Sequence, residues 1–318
     1  MPRCPFAGSV GEINRIHLLQ PSFTIAPAAA HDTSAGLLLA GRIVTVHDVH
    51  DLRGRISKSS ARDATKTVIR SAVRTLPAPA VRFLPPRLRR LRPPILGKVK
   101  LGDLATTVPV SMDFGWDRGL AIDRYYIELF LERHSSDVRG RVLEIGDASY
   151  SERFGGPAVQ QQDILHVHPG NPLATIVGDI STPDVLPRSA FDCVLLTQTL
   201  HLIYDFHAAV REVHESLKPG GVLLLTVPGI SQIDRGEWGD DWFWAMAPAA
   251  VRRLLGDGFG EDNVLVESHG NVFAATTFLQ GLALSEVPTS KLDVRDEAYP
   301  VIVTARAARA RREESHRR

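Results

Sequence analysis

Three apolar runs, each ending in a small, polar or acidic turn, constrain this chain more than any other feature: Val142-Leu-Glu-Ile-Gly-Asp147, Phe191-Asp-Cys-Val-Leu-Leu-Thr-Gln198 and Leu217-Lys-Pro-Gly-Gly-Val-Leu-Leu-Leu225. Short, nearly unbroken runs of Val, Ile and Leu bounded by turn residues read as strands buried on both faces. The segments between them carry apolar residues at helical spacing. Strands alternating with helices imply right-handed crossovers and a doubly wound, mostly parallel sheet. Such sheets bind ligands in the crevice beyond the carboxyl ends of their strands. The pattern therefore predicts an α/β enzyme whose site lies in the turns after these runs.

The rest of the frame follows from the same periodicities. Ile122, Tyr126, Leu129, Phe130 and Arg133 mark an amphipathic helix that ends before Gly140. Strands are expected over 141–145, 164–167, 174–177, 192–196 and 222–227, with two last ones at 264–267 and 301–305. Asp205 is placed to cap a helix carrying Phe206, Ala209, Val210, Val213 and Leu217, which Pro219-Gly220-Gly221 should stop. Pro248 opens another helix with Val251, Leu254 and Leu255, and an apolar helix is expected from Val272 to Leu284. This makes one domain, 101–307, with a seven-stranded sheet. Residues 1–60 show no sustained period and are expected to be disordered, although the patch Gly36 to Val46 reads as a strand without a visible partner. A helix and a basic, Pro/Arg-rich linker should fill 61–100, and a basic tail 308–318.

Composition narrows the partners. A formal charge of +1 gives no ground for nucleic-acid binding. The stretch 82–100 holds seven cations and no acid, and it reads first as a solvated linker and second as a weak contact with an anionic membrane surface. Two cysteines, Cys4 and Cys193, imply no disulfide framework and fit a cytoplasmic location. The N-terminus lacks the apolar core of a signal peptide, and no segment approaches the roughly 20 apolar residues of a membrane span. Oligomeric state is not legible.

Dinucleotide-binding folds carry G-x-G-x-x-G after the first strand, so that backbone can approach a pyrophosphate. Here the turn is Gly146-Asp-Ala-Ser-Tyr-Ser, with one glycine. A cofactor without phosphate suits it better.

The chain resembles the class I S-adenosylmethionine-dependent methyltransferases over about 114–306, most closely the bacterial methyltransferase-11-like group often found beside glycosyltransferases. The resemblance is carried by Phe114-Gly-Trp-Asp-Arg-Gly119, Ile122-Asp-Arg-Tyr-Tyr-Ile-Glu128, Glu144-Ile-Gly-Asp147, Asp163-Ile-Leu-His-Val167 and Thr197-Gln-Thr-Leu-His201. It implies S-adenosylmethionine as cofactor and a seven-stranded Rossmann-like sheet whose last strand is antiparallel. The first turn, with Glu144, Gly146 and Asp147, would meet the methionine end. Asp179 in Val177-Gly-Asp179, next to Ile180, would pair with the adenine amino group, and Thr197 and Gln198 would complete the cofactor wall. Where the family has a ribose-binding acid after the second strand this chain has His168, which can serve one hydroxyl but not two.

The resemblance makes His201 the candidate base for a hydroxyl acceptor, since an imidazole suits proton transfer near neutral pH. Arg118, Asp123, Arg124, Tyr125 and Tyr126 stand to cover the cofactor or read the acceptor, and Trp238, Trp242, Phe243 and Trp244 to form an acceptor wall. No metal is implied. The acceptor is expected to be a small molecule, a sugar or another glycan-pathway intermediate. An inactive binding or regulatory protein on the same fold is the alternative. It predicts weak cofactor binding, restored by His168→Asp, and no methylated product.

Overall fold

A computed structural model describes residues 98–311 and, before them, only the backbone pairing of two short strands. These are β1 (Leu37–Leu39) and β2 (Arg42–Val44), which pair antiparallel with Leu37 opposite Val44. The patch expected to be a strand without a partner thus holds two strands that pair with each other. The chain divides into two units, residues 1–99 and 100–318. The expected disorder over 1–60, the helix and linker over 61–100 and most of the basic tail otherwise lie outside the described residues.

The second unit is built on a seven-stranded sheet. Its strands are β3 (Gly140–Ile145), β4 (Val159–His166), β5 (Ile176–Val177), β6 (Phe191–Thr197), β7 (Leu217–Pro228), β8 (Val264–His269) and β9 (Ile302–Ala308). The spatial order is β5-β4-β3-β6-β7-β9-β8, and β9 alone runs antiparallel to both of its neighbours. This is the Rossmann-like methyltransferase topology expected from the sequence.

Side-chain alternation along the central strands divides the core into two layers. Leu143, Val194, Leu196, Leu223 and Leu225 pack under helices α2 (Phe206–Ser216) and α3 (Pro248–Phe259). Val142, Cys193, Leu195, Val222 and Leu224 face α1 (Ile122–Arg133) and α4 (Val272–Leu279), where Ile122, Ile127, Phe130 and Leu131 are buried. Full burial of a side chain of this size contributes roughly 1.5–3 kcal/mol. The Cys193 thiol is free and sealed in this layer, and burial pushes its pKa upward, so it packs as an apolar residue. Asp205 caps α2 by accepting from the Ala208 amide at 2.9 Å, and Asn271 caps α4 by accepting from Phe273 and Ala274.

Four expectations change. The second strand starts at Val159, five residues before the apolar run, because Gln161 and Gln162 pair with β3 although their side chains are polar. The third is only Ile176–Val177. Lys218-Pro-Gly-Gly221 does not separate a helix from a strand; α2 ends at Ser216, and the Pro-Gly-Gly is a bulge inside β7, where pairing jumps from Leu217–Phe191 to Val222–Cys193. A Cβ on Gly221 would lie 2.9 Å from the Phe191 and Lys218 carbonyl oxygens, so only glycine passes there. The apolar helix after β8 stops at Leu279, since Gly281 turns the chain with φ +68°.

Candidate functional site

The strand order reverses between β3 and β6, and the carboxyl ends of β3 to β6 open on a cavity of about 1140 Å3. That volume holds a nucleoside-sized cofactor with a small second molecule.

The floor is the turn after β3. Glu144 is 2% exposed and its carboxylate accepts three hydrogen bonds, from the Tyr150 amide at 3.1 Å, the Ser151 amide at 2.8 Å and Ser151 Oγ at 2.6 Å. Burial raises its pKa and these donors pull it back. Both oxygens are thus engaged in pinning the start of the single irregular helical turn, Ser151–Gly155, that follows β3. Gly146 has φ +88°, and a Cβ there would meet nothing within 4 Å, so the turn offers bare backbone to the cavity. The Gly146 amide donates to Leu165 O at 3.0 Å, and its carbonyl accepts from Asn171 Nδ2 at 2.5 Å. Asp147 lines the cavity and accepts from the Ser149 amide.

Beyond β4, His166 and His168 line the wall. His166 Nδ1 lies 3.2 Å from the His168 amide and 2.9 Å from the His168 carbonyl; one tautomer serves only one of these contacts. Asp163, at the other end of the strand, is bound bidentately by Arg141 and plays no part in the cavity. After β5, Asp179 Oδ1 accepts from the Ser181 amide and hydroxyl, both at 2.8 Å, and Oδ2, without a hydrogen bond among the described residues, lies at the cavity wall above buried Ile180. After β6, Thr197 and Gln198 line the cavity, and Gln198, at φ +46°, is held by Thr226 through its amide and its Nε2.

His201 follows on the short turn Leu200–Leu202. It is 2% exposed, stands edge-on to Trp242 at 4.3 Å, and its Nδ1 is buried without a partner. Burial, seconded by the charge of Arg124, lowers its pKa to about 3. The ring is therefore neutral at working pH and a weaker base than the near-neutral imidazole that its sequence position suggests.

The far wall comes from irregular chain. Phe114 stacks on Trp242 with centroids 5.9 Å apart, Trp116 lies under the Arg124 guanidinium at 5.5 Å, and Trp238, Phe243, Asp234 and Asp241 complete the lining. Trp244 is turned away, with Nε1 donating to Ile203 O at 3.1 Å and its ring against Phe206. Arg124 reaches the cavity from α1. Asp123 beside it also lines the cavity, but three other candidates do not: Arg118 is clamped by Glu286, Tyr125 donates to Asp293 at 2.5 Å, and Tyr126 donates to Leu292 O. Those three candidates are held elsewhere because successive residues on a helix point about 100° apart, and Arg118 precedes the helix altogether. Tyr150, Asp113 and Asp241 also line the cavity and Asn171 holds its turn, and none of the four carries a sequence signature. Among the described residues no group of three or more His, Cys, Asp or Glu is arranged to hold a metal ion, and no helix is long and apolar enough to cross a membrane.

The family described as a methyltransferase domain matches residues 157–225, from just before β4 into β7. No curated protein matches the chain. Solved structures similar to it include an S-adenosylmethionine-dependent methyltransferase from Archaeoglobus fulgidus, 13% identical, with 58% of this chain and 94% of that one covered and a TM-score of 0.41. Another from Mesorhizobium loti is 16% identical, covering 59% and 98%, at 0.38. Phosphoethanolamine N-methyltransferase 2 from Haemonchus contortus, in complex with S-adenosyl-L-methionine, is 13% identical, covering 54% and 49%, at 0.36. Superpositions this loose add nothing to what the strand order and the cavity already say.

Proposed function

We propose that this cavity binds S-adenosylmethionine and passes its methyl group to a small-molecule acceptor, an oxygen of a sugar or another glycan-pathway intermediate. One observation carries the reading: the turn at the sheet's switch point, with a single glycine whose bare face opens on the cavity. It can approach a nucleoside-type ligand closely but has no glycine-rich cradle for a pyrophosphate. The match of the methyltransferase-domain family through the second, third and fourth sheet strands supports it.

On this reading Gly146 and Asp147 lie along the methionine side, His168 takes one ribose hydroxyl, and Oδ2 of Asp179 accepts from the adenine amino group. Ile180, Thr197 and Gln198 wall the ring. Glu144 acts at one remove, by holding the turn. The bound cofactor supplies an electrophilic methyl on a sulfonium. The chain's own part is to align an acceptor with it and to keep water out, and positioning alone can carry much of the rate. Trp238 and Trp242 offer faces on which a sugar ring can stack. His201 takes the proton. A hydroxyl gaining a methyl becomes an oxonium, a far stronger acid than an imidazolium, so even this weakly basic ring can accept the proton as the new bond forms.

S-Adenosylhomocysteine should raise the melting temperature of the protein. No shift at saturating ligand would sink the proposal. Weak binding that His168→Asp tightens, with no methylated product from any acceptor, would instead favour an inactive binding or regulatory protein on the same fold.

A further inference from the structure

Among the described residues a guanidinium and a carboxylate meet through two hydrogen bonds in several finished pairs: Arg141 grips Asp163 at 2.8 and 3.2 Å, Arg306 grips Asp137 at 2.8 and 2.9 Å, and Arg118 grips Glu286. Asp123 and Arg124 are a further opposite-charge pair, and it is unfinished. Asp123 is 7% exposed; its Oδ1 accepts from the Arg124 amide at 2.8 Å, and its Oδ2 stands 3.7 Å from Arg124 Nε, too far for a hydrogen bond. Arg124 donates from Nη1 to Tyr150 OH at 3.2 Å, while its Nε is buried and unpartnered. Consecutive residues on a helix cannot turn their side chains fork to fork. The two charges therefore stand side by side in the cavity wall. Leaving buried ions with unmade bonds is expensive, and a ligand of matching polarity removes the cost.

We infer that Asp123 and Arg124 form a clamp for an α-amino acid group, Asp123 accepting from its ammonium and Arg124 donating to its carboxylate, and that this group is the amino-acid end of the cofactor. The inference rests on the reading of the cavity as an S-adenosylmethionine site. Two further observations favour the cofactor as occupant. Glu144, at the end of β3, has both oxygens taken by Tyr150 and Ser151, and Asp147 in the turn already spends its Oδ1 on the Ser149 amide, so the ammonium gains from a further carboxylate. Arg124 is tied to Tyr150, four residues after Gly146, which sets the clamp beside that turn. The other neighbouring acid, Glu128, is already held by Arg153 at 2.8 Å.

The test compares two ligands by calorimetry: S-adenosylhomocysteine, and 5'-methylthioadenosine, which keeps the nucleoside and thioether but lacks the amino-acid group. Arg124→Met should weaken S-adenosylhomocysteine about 30-fold and Asp123→Asn about tenfold, both leaving methylthioadenosine unchanged. Should Asp123→Asn fail to fold, Arg124→Lys serves in its place and should give an intermediate loss, since it keeps the charge without the planar fork. Equal loss of both ligands would make the pair merely structural and overturn the inference. So would unchanged S-adenosylhomocysteine affinity, with or without a raised acceptor KM. A wild-type protein that binds neither ligand would overturn the cofactor reading itself, and this inference with it.

Discussion

The two halves of the cavity are built by different means. The half proposed for the cofactor is made of strand ends: Gly146, Asp147, His168, Asp179 and Gln198 each sit within about two residues of a strand whose register is fixed by pairing on both sides or by a hydrogen-bonded turn. The half proposed for the acceptor is made of irregular chain from 113–118 and 231–243, joined by aromatic stacking and laid across the sheet's end. A strand end is positioned by backbone hydrogen bonds, whatever its side chain. A loop is positioned by the side chains it presents. Changes in the first half should therefore alter one ligand's binding cleanly, whereas changes in the second should alter a wall.

The largest effect expected from this contrast is at Gly146. Gly146→Arg puts a long side chain into the open face of the turn and forces an L-residue to φ +88°. S-Adenosylhomocysteine binding should fall more than about 100-fold, for a cost in stability of only about 1–2 kcal/mol. Calorimetry and thermal melting read the two separately, and a variant that still bound would break the division of the cavity. Next, Asp179→Ala removes a charged acceptor and should weaken the same ligand about 10- to 100-fold, with acceptor KM unchanged.

Trp242→Ala should do the reverse. Losing one aromatic partner, it should raise acceptor KM about three- to tenfold in steady-state kinetics and leave S-adenosylhomocysteine affinity within about twofold. Equal shifts in both would mean that the halves are one unit.

The smallest effect concerns protons. The folded pKa of His201, about 3, and that of His269, about 4, lie below the ordinary 6.5, so the unfolded chain binds protons that the folded one refuses. Their contribution to stability is complete above about pH 6.5 and is lost as pH falls toward 4 and below. The melting temperature should fall over that window, and the slope should be shallower in His201→Gln. A pH–rate profile should show no inflection near 6.5 from His201; one that vanished in His201→Gln would show the ring to be more basic than its burial implies.

The sequence makes the first half of the cavity legible and the second half only in part, for the same physical reason. Apolar runs broken by Gly146 and Asp179 report where strands stop, and a residue one or two places past a strand has little choice of direction. Glu144 was legible as a site residue but not as one whose oxygens are both spent on Tyr150 and Ser151, because that depends on the tightness of the turn after β3. Arg118, Arg124 and Tyr125 look equivalent in sequence. Only the docking of α1 shows that Arg124 faces the cavity while the others are taken by Glu286 and Asp293. Asn171 carries no signature at all, being an ordinary loop residue until its amide is seen to hold the Gly146 carbonyl.

The stack of Phe114 on Trp242 has a mechanical consequence. The same indole touches His201 on its edge, and the next two backbone amides, of Phe243 and Trp244, donate to the His201 carbonyl at 3.1 and 3.2 Å. Segments more than a hundred residues apart are thereby joined through Trp242 to one histidine, by its ring and by its backbone carbonyl. Any molecule that wedges Phe114 from Trp242 pulls on the ring proposed to take its proton, so admission and chemistry share a single joint.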